Sequence, residues 1–325
     1  MPDPRPGTAV PQSDSRGRAI GPGFAALLAV TTVCAGPAAA DPPATTAESC
    51  SPAKVAIGIP TRTPLLDWSE NLAFDASGDI WIARSLGNAV EHYNHDGRLV
   101  TSVPVSGPGA VRLGPDGLFY VTYGNSPFAG AAKQGGVVRF DPKAPAPQPE
   151  VFVSGLGQAN GAAFDRDGNL YVADTSANTV ERVRPDGTVD ADWTERARNA
   201  LAASGSGADG IVADGGILYV TLLESPTARV VAMPIADPAL TSVAIDLAPA
   251  PLSPPLLPDD LAIGADGALY IATGTGQLVR ADPIAHTSCT LLTIEPLTSV
   301  AVNPADTRTL ILGTENGDLV KARVH

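Results

Sequence analysis

Four oxygen-bearing side chains recur at one position of a repeated segment: Glu70, Asn160, Asp209 and Asp259. The aromatic residue that follows each one fixes the register. Glu70 lies eleven residues before Trp81, Asn160 eleven before Tyr171 and Asp259 eleven before Tyr270, while Asp209 lies ten before Tyr219 in a segment with a shorter turn. The two remaining repeats bring Gly109 and Ser299 to this position. Three carboxylates gathered on one axis repel each other unless a counter-ion pairs them. Calcium suits such a set, because it takes about 6–8 oxygen ligands from carboxylates, amide oxygens and water. Another divalent cation is the alternative. Zinc is disfavoured, since it prefers nitrogen and sulfur donors and His92, His95, His286 and His325 all lie off the register. A cation held in this way polarises a bound carbonyl oxygen as a Lewis acid. A carboxylate beside it, best Asp259, takes a proton from water or attacks directly.

These side chains need a scaffold that brings distant segments to one axis, and the repeats provide it. The segments are ENLAFDASGDIWIA (70–83), GAVRLGPDGLFYVT (109–122), NGAAFDRDGNLYVAD (160–174), DGIVADGGILYVT (209–221), DDLAIGADGALYIAT (259–273) and SVAVNPADTRTLILGT (299–314). Their starts fall 39, 51, 49, 50 and 40 residues apart. Strand–turn–strand units at that period read as propeller blades. Turns such as Asp75 to Gly78 and Asp165 to Gly168 join the first two strands of a blade as hairpins. The expected fold is all-β, a six-bladed β-propeller over 54–325. The sixth repeat lacks a fourth strand, which KVAIGIP (54–60) at the N-terminal end is expected to supply. The aromatics Trp81, Tyr120, Tyr171, Tyr219 and Tyr270 read as packing between blades. Inserts at 122–135, 191–204 and 247–258 are expected to rim one face, with 191–204 carrying helix-forming residues and 247–258 too rich in proline for regular structure.

With the ring and the blades in place, the chain resembles the senescence-marker-protein/gluconolactonase (luciferin-regenerating-enzyme-like) family of calcium-dependent six-bladed propellers. The resemblance spans roughly 54–325. That family places Glu in blade 1, Asn in blade 3, Asn or a similar residue in blade 4 and Asp in blade 5, matching Glu70, Asn160, Asp209 and Asp259 as metal ligands. The resemblance implies hydrolysis of a lactone, ester or phosphoester small molecule. Asn71 and Asp260 stand where the family usually has glycine, and Asp209 stands where an amide is more typical. Gln158, two residues before Asn160, takes a position where the family often has a substrate-binding arginine, so a sugar-acid lactone is not implied. Gln158, Gly109 and Ser299 are the expected substrate-facing positions.

The 325 residues carry 44% hydrophobic and 17% charged residues, too apolar for a disordered chain. The 33 glycines and 31 prolines argue for turns rather than helical bundles. A net charge of −13 disfavours binding to a nucleic-acid backbone. Residues 1–40 read as a secretory signal: Arg16 and Arg18 precede an apolar run at 20–36, and Ala38-Ala39-Ala40 precedes Asp41. Cleavage near Ala40-Asp41 would leave a secreted monomer without a membrane anchor, with 41–53 as a disordered arm. Its cysteines would be Cys50 and Cys289, an even pair that an oxidising compartment would join as one disulfide; two free buried thiols are the other reading. A second function class stays open, a non-enzymatic NHL-like propeller that binds a protein or glycan and uses calcium structurally.

Overall fold

The structure, a computed structural model, describes residues 50–248 and 255–325. The expected leader at 1–40, the arm up to residue 49 and residues 249–254 of the proline-rich insert lie outside the described residues. Six antiparallel sheets follow the six repeats, so the fold is an all-β, six-bladed propeller. Blade 1 consists of Ser69–Phe74, Ile80–Arg84, Ala89–Tyr93 and Leu99–Pro104. Blade 2 consists of Val111–Leu113, Phe119–Tyr123, Gly135–Phe140 and Glu150–Leu156. Blade 3 has Ala159–Phe164, Leu170–Asp174 and Thr179–Val183. Blade 4 has Ala208–Asp214, Ile217–Leu222, Arg229–Pro234 and Ser242–Asp246. Blade 5 has Pro258–Ile263, Leu269–Thr273, Gln277–Asp282 and Thr287–Thr293. Blade 6 orders Leu297–Val302, Thr309–Thr314, Leu319–Arg323 and Lys54–Ile59, with Lys54 opposite Arg323.

Core packing follows the alternation of side chains along each second strand. Trp81 of blade 1 is fully buried against Val111, Phe119 and Phe140 of blade 2. Tyr120 of blade 2 meets Phe164 of blade 3 edge-on, with centroids 5.0 Å apart. Each of these aromatics also holds its own hairpin, because its polar tip reaches the turn aspartate. Trp81 Nε1 donates to Asp75 at 3.1 Å, Tyr120 Oη to Asp116 at 2.9 Å and Tyr171 Oη to Asp165 at 3.0 Å. Burial of a polar atom costs little once such a partner exists.

The 122–135 insert joins the second and third strands of blade 2 and folds into a one-turn helix, α1 (Pro127–Ala131), capped by Ser126. The 191–204 insert forms a longer helix, α2 (Ala191–Ser204), but not as a rim loop. It takes the place of the fourth strand of blade 3, with Trp193, Ala197 and Leu201 buried in the core cluster shared by blades 3 and 4. Its amphipathic spacing buries that stripe, and an apolar stripe on a helix covers a sheet edge as well as a strand does. Cys50 and Cys289 form a disulfide with Cα atoms 5.8 Å apart. It ties the segment before blade 6's outer strand to the outer strand of blade 5, where Ala53 N also donates to Leu291 O at 2.9 Å.

Candidate metal and substrate site

Five of the six innermost strands slip register near their start; that of blade 2 pairs without a slip. The pairing breaks between Ser69 and Asn71, Ala159 and Ala162, Ala208 and Ile211, Pro258 and Leu261, and Leu297 and Ser299. The residues left unpaired are Glu70, Asn160-Gly161, Asp209-Gly210, Asp259-Asp260 and Thr298. A β-bulge turns its side chain out of the pleat, so this one device points the ring residues toward the axis rather than into the sheets.

Two threonines tie the starts of neighbouring innermost strands together. Thr122 Oγ1 accepts from Ala110 N and donates to Asn160 O, both at 2.7 Å. Thr221 Oγ1 accepts from Gly210 N and donates to Asp259 O, again both at 2.7 Å. Neither was expected from the sequence, although each closes a Tyr-Val-Thr triplet, 120–122 and 219–221, that was there to be read.

Blade 6 departs from the expected ring. Ala301 faces Ile311 as Ala73 faces Trp81, which brings Thr298 to the place of Glu70. The hairpin between Val302 and Leu310 is longer than that between Phe74 and Ile80, so the spacing of the other blades does not carry over, and Thr298 rather than the expected Ser299 holds the ring position. Ser299 is fully buried and its Oγ has no hydrogen-bond partner, so it does not face substrate. Gly109 lies just before the innermost strand of blade 2, where its N–H donates to Thr122 O at 3.1 Å. It offers backbone only.

Glu70 is buried and both its oxygens accept hydrogen bonds, from Trp68 Nε1 at 2.6 Å and from Asn125 Nδ2 at 2.5 Å. Gln158 Nε2 donates to Asn125 Oδ1 at 3.0 Å. Asn125, in the loop that carries α1, thus links Gln158 to the ring. Asn160 Nδ2 donates to Asp209 Oδ1. Asp259 is half-buried, and its carboxylate accepts no hydrogen bond from the described residues. Its backbone, by contrast, is held through Thr221.

The charges of the ring act on one another. Burial and then the repulsion of Glu70 and Asp260 raise the Asp209 pKa well above the ordinary carboxylate range. Burial and the charges of Asp209 and Glu70 do the same at Asp259. Glu70 is raised chiefly by burial, with its two hydrogen bonds opposing. A buried acid group without a cation beside it resists ionisation. The donor set therefore fits a hard cation: oxygen only, three carboxylates and an amide, with carboxylates that demand a positive charge. Glu70, Asn160, Asp209 and Asp259 are the residues that would hold it.

The ring is not closed on a point. Among the described residues, one group of three His, Cys, Asp or Glu side chains has ligand atoms within 4.8 Å of each other: Asp75, Asp79 and His92. This group sits at the first hairpin of blade 1, at the far end of the strand from the ring. Its oxygens are already in use, Asp75 accepting from Ser77, Asp79 N and Trp81, and His92 stacking on Trp81 at 4.4 Å. In blade 5 Arg280 fills the same corner, 2.8 Å from Asp266. His92 is this corner's equivalent of that arginine.

Residues 106–216 match the model of one protein family, described as the SMP-30/Gluconolactonase/LRE-like region. Over that segment, about a third of the chain, the sequence is similar to this region. The matched segment holds Gly109, Gln158, Asn160 and Asp209, and stops between the ring residues of blades 4 and 5. No curated protein sequence matches this chain. Among solved structures, the chain is similar to a gluconolactonase from Xanthomonas campestris, with 16% identity, 86% of this chain and 98% of that one covered and a TM-score of 0.60. It is similar to a calcium-binding regucalcin from Agrobacterium tumefaciens, at 17% identity, 85% and 95% coverage and a TM-score of 0.61. It is also similar to virginiamycin B lyase from Staphylococcus aureus, at 13% identity, 84% and 100% coverage and a TM-score of 0.60. At these identities the likeness establishes the propeller fold, which hosts both hydrolases and lyases.

Proposed function

We propose that this protein is a secreted, calcium-dependent hydrolase of a small lactone or ester. The observation that carries the reading is the bulge ring: three carboxylates and one amide, aimed at the channel axis, with no basic side chain among the described residues paired to Glu70, Asp209 or Asp259. The family match over 106–216 supports a lactonase-type reaction. The name of one similar solved structure, a calcium-binding protein, supports the choice of ion. When bound, calcium supplies Lewis-acid polarisation of a carbonyl oxygen.

The chain's own residues do the rest. Glu70, Asn160 and Asp209 are held by Trp68, Asn125 and the neighbouring bulges, so their oxygens start near their working positions. Asp259 is free of hydrogen bonds to the described side chains, and its backbone is pinned at 2.7 Å by Thr221. It is the group placed to take a proton at a carboxylate oxygen from attacking water. General-base help of this kind contributes about 10²–10⁴-fold. Gln158 and Asn125 present amide groups at the mouth and select a neutral, hydrogen-bonding substrate.

A second reading, a propeller that binds a macromolecule, has one feature in its favour. Leu65, Leu66, Leu86 and Phe128 are exposed in loops on the ring's side of the blades. The two readings part in one experiment. Hydrolysis across a lactone and ester panel, measured with calcium and with chelator, should be calcium-dependent. Saturable calcium binding without turnover of any member would leave the binding propeller.

A further inference from the structure

The residue after the ring position is of two kinds in the four blades that carry the proposed ligands. In blades 3 and 4 it is Gly161 and Gly210. A Cβ there would lie 2.2 Å from Asp209 O or 2.5 Å from Asp259 O, so the next blade's backbone leaves room for glycine alone. In blades 1 and 5 it is Asn71 and Asp260, both buried, and they meet across the channel: Asn71 Nδ2 donates to Asp260 Oδ2 at 3.0 Å.

Arg112 of blade 2 completes the contact. Its Nη1 donates to Asn71 Oδ1 at 2.5 Å, its Nη2 lies 3.5 Å from Asp260 Oδ1, and its Nε donates to Ala162 O of blade 3 at 2.8 Å. One guanidinium thus ties four blades. Beneath it the channel continues as a cavity of about 370 Å³, walled by apolar residues such as Leu72, Phe74, Leu261 and Val302. The three polar side chains therefore separate an acidic upper compartment from a mostly apolar lower one, which has Asp214 on its wall.

Charge is the second aspect of this arrangement. Asp260 Oδ1 is buried without a hydrogen-bond partner, and the Arg112 guanidinium is its compensation. Asp260 follows the ring residue Asp259 directly in the chain, so its charge lies beside the ring. With Arg112 present the layer under the ring is neutral, and the ring keeps its own three negative charges.

We infer that Asn71, Arg112 and Asp260 form a septum that closes the channel beneath the ring, and that the Arg112–Asp260 pair sets the charge the ring presents to its cation. This rests on the proposed calcium site. Arg112 and Asp260 are positioning residues and contribute no ligand.

The test is calorimetric calcium titration of wild type, Asp260→Asn, Arg112→Met, the double variant and Arg112→Lys, each checked for folding by circular dichroism. Asp260→Asn leaves an unpaired cation below the ring and should weaken calcium about tenfold, the order expected for one unit charge through a partly screened site. Arg112→Met leaves an unpaired anion and should tighten calcium by a similar factor. The double variant restores neutrality and should return to within about threefold of wild type, and Arg112→Lys should match wild type. A shift of the same sign in both single variants overturns the inference while leaving the calcium site standing. Wild type without saturable binding overturns both. Should Arg112→Met not fold, Asp260→Asn against the double variant decides, because only a charge-setting pair recovers affinity when its second member is removed.

Discussion

Asp67 and Glu70 lie three residues apart and meet opposite fates. Asp67 belongs to a cluster complete in itself. Burial pushes its pKa up, but Arg62 and the N–H groups of Thr63 and Arg62 more than offset this and hold it at about 2. Glu91 sits between Arg62 at 2.8 Å and Arg84 at 3.0 Å, takes a further bond from Tyr93, and is likewise held below its ordinary value despite burial. Glu70 and Asp209 are buried and Asp259 half-buried without such partners among the described residues, and their proton affinities rise. The comparison separates two uses of acid groups. Where arginines complete the set, the charge is structural; where burial outruns pairing, the chain has left a place for something it does not encode.

The sharpest way to break this comparison is Asp259→Asn. It keeps an oxygen ligand and removes the basic carboxylate, so turnover should fall by about 10²–10⁴ while calorimetry still finds calcium. Undiminished turnover would remove Asp259 from the chemistry.

Next in size is Arg84→Met on the structural side. The Arg84 side chain is 2% exposed, and its Nη1 bonds Ser69 Oγ, Asp67 O and Gly317 O. Loss of one partner from a buried pair costs about 3–5 kcal/mol, and urea unfolding should show it with or without calcium. A loss under about 1 kcal/mol would mean that Glu91 is served well enough by Arg62 alone.

Glu70→Gln tests the other side. In wild type, calcium at 100 times its Kd should stabilise by about 2.7 kcal/mol. Most of that gain should vanish in the variant, as a smaller calcium-induced rise in Tm, and an equal rise in both proteins would exclude Glu70 from the site.

The smallest effect is in pH, and the two clusters contribute with opposite sign. The ring acids have folded pKa values above their unfolded ones, so their contribution is full below the ordinary carboxylate range and is lost as pH rises through the raised values. Asp67 has a folded value of about 2, below its unfolded one. Its contribution is full above the ordinary range and is lost as pH falls toward 2. In chelator, Tm should therefore decline from mildly acidic to neutral pH, and calcium should flatten that limb alone. Superimposable curves with and without calcium would show that the ring carries no unpaired charge.

Much of this was legible in the sequence, for identifiable reasons. Blades repeat, so the turn aspartates and the second-strand aromatics mark register directly, and Glu70, Asn160, Asp209 and Asp259 emerge from counting. Counting fails where a hairpin changes length, as it does between Val302 and Leu310, and Ser299 was expected where Thr298 stands. The loop origin of Asn125 hid its bond to Glu70, since no repeat constrains a loop. Arg112 was hidden differently: one arginine in an innermost strand acquires meaning only when Asn71 and Asp260 arrive beside it from repeats far along the chain. The exchange of a strand for α2 in blade 3 was half-visible, as helix-forming residues without a place to put them.

That exchange bears on how the molecule meets its own copies. The outer strands of blades 1, 2, 4 and 6 leave apolar side chains in solvent, among them Val100, Val151, Val243 and Ile57. A bare strand edge is a template on which another chain can add itself. In blade 3 the last strand is covered instead: Thr194 of α2 accepts from Arg182 N through its hydroxyl at 3.2 Å, and its carbonyl accepts from Thr179 Oγ1 at 3.1 Å. Asp190 N also donates to Arg182 O at 2.8 Å, so both backbone groups of Arg182 are taken on the side where another strand would add. Blade 3 is thereby closed to edge-to-edge growth, and self-association by strand addition is confined to the other flanks of the disc.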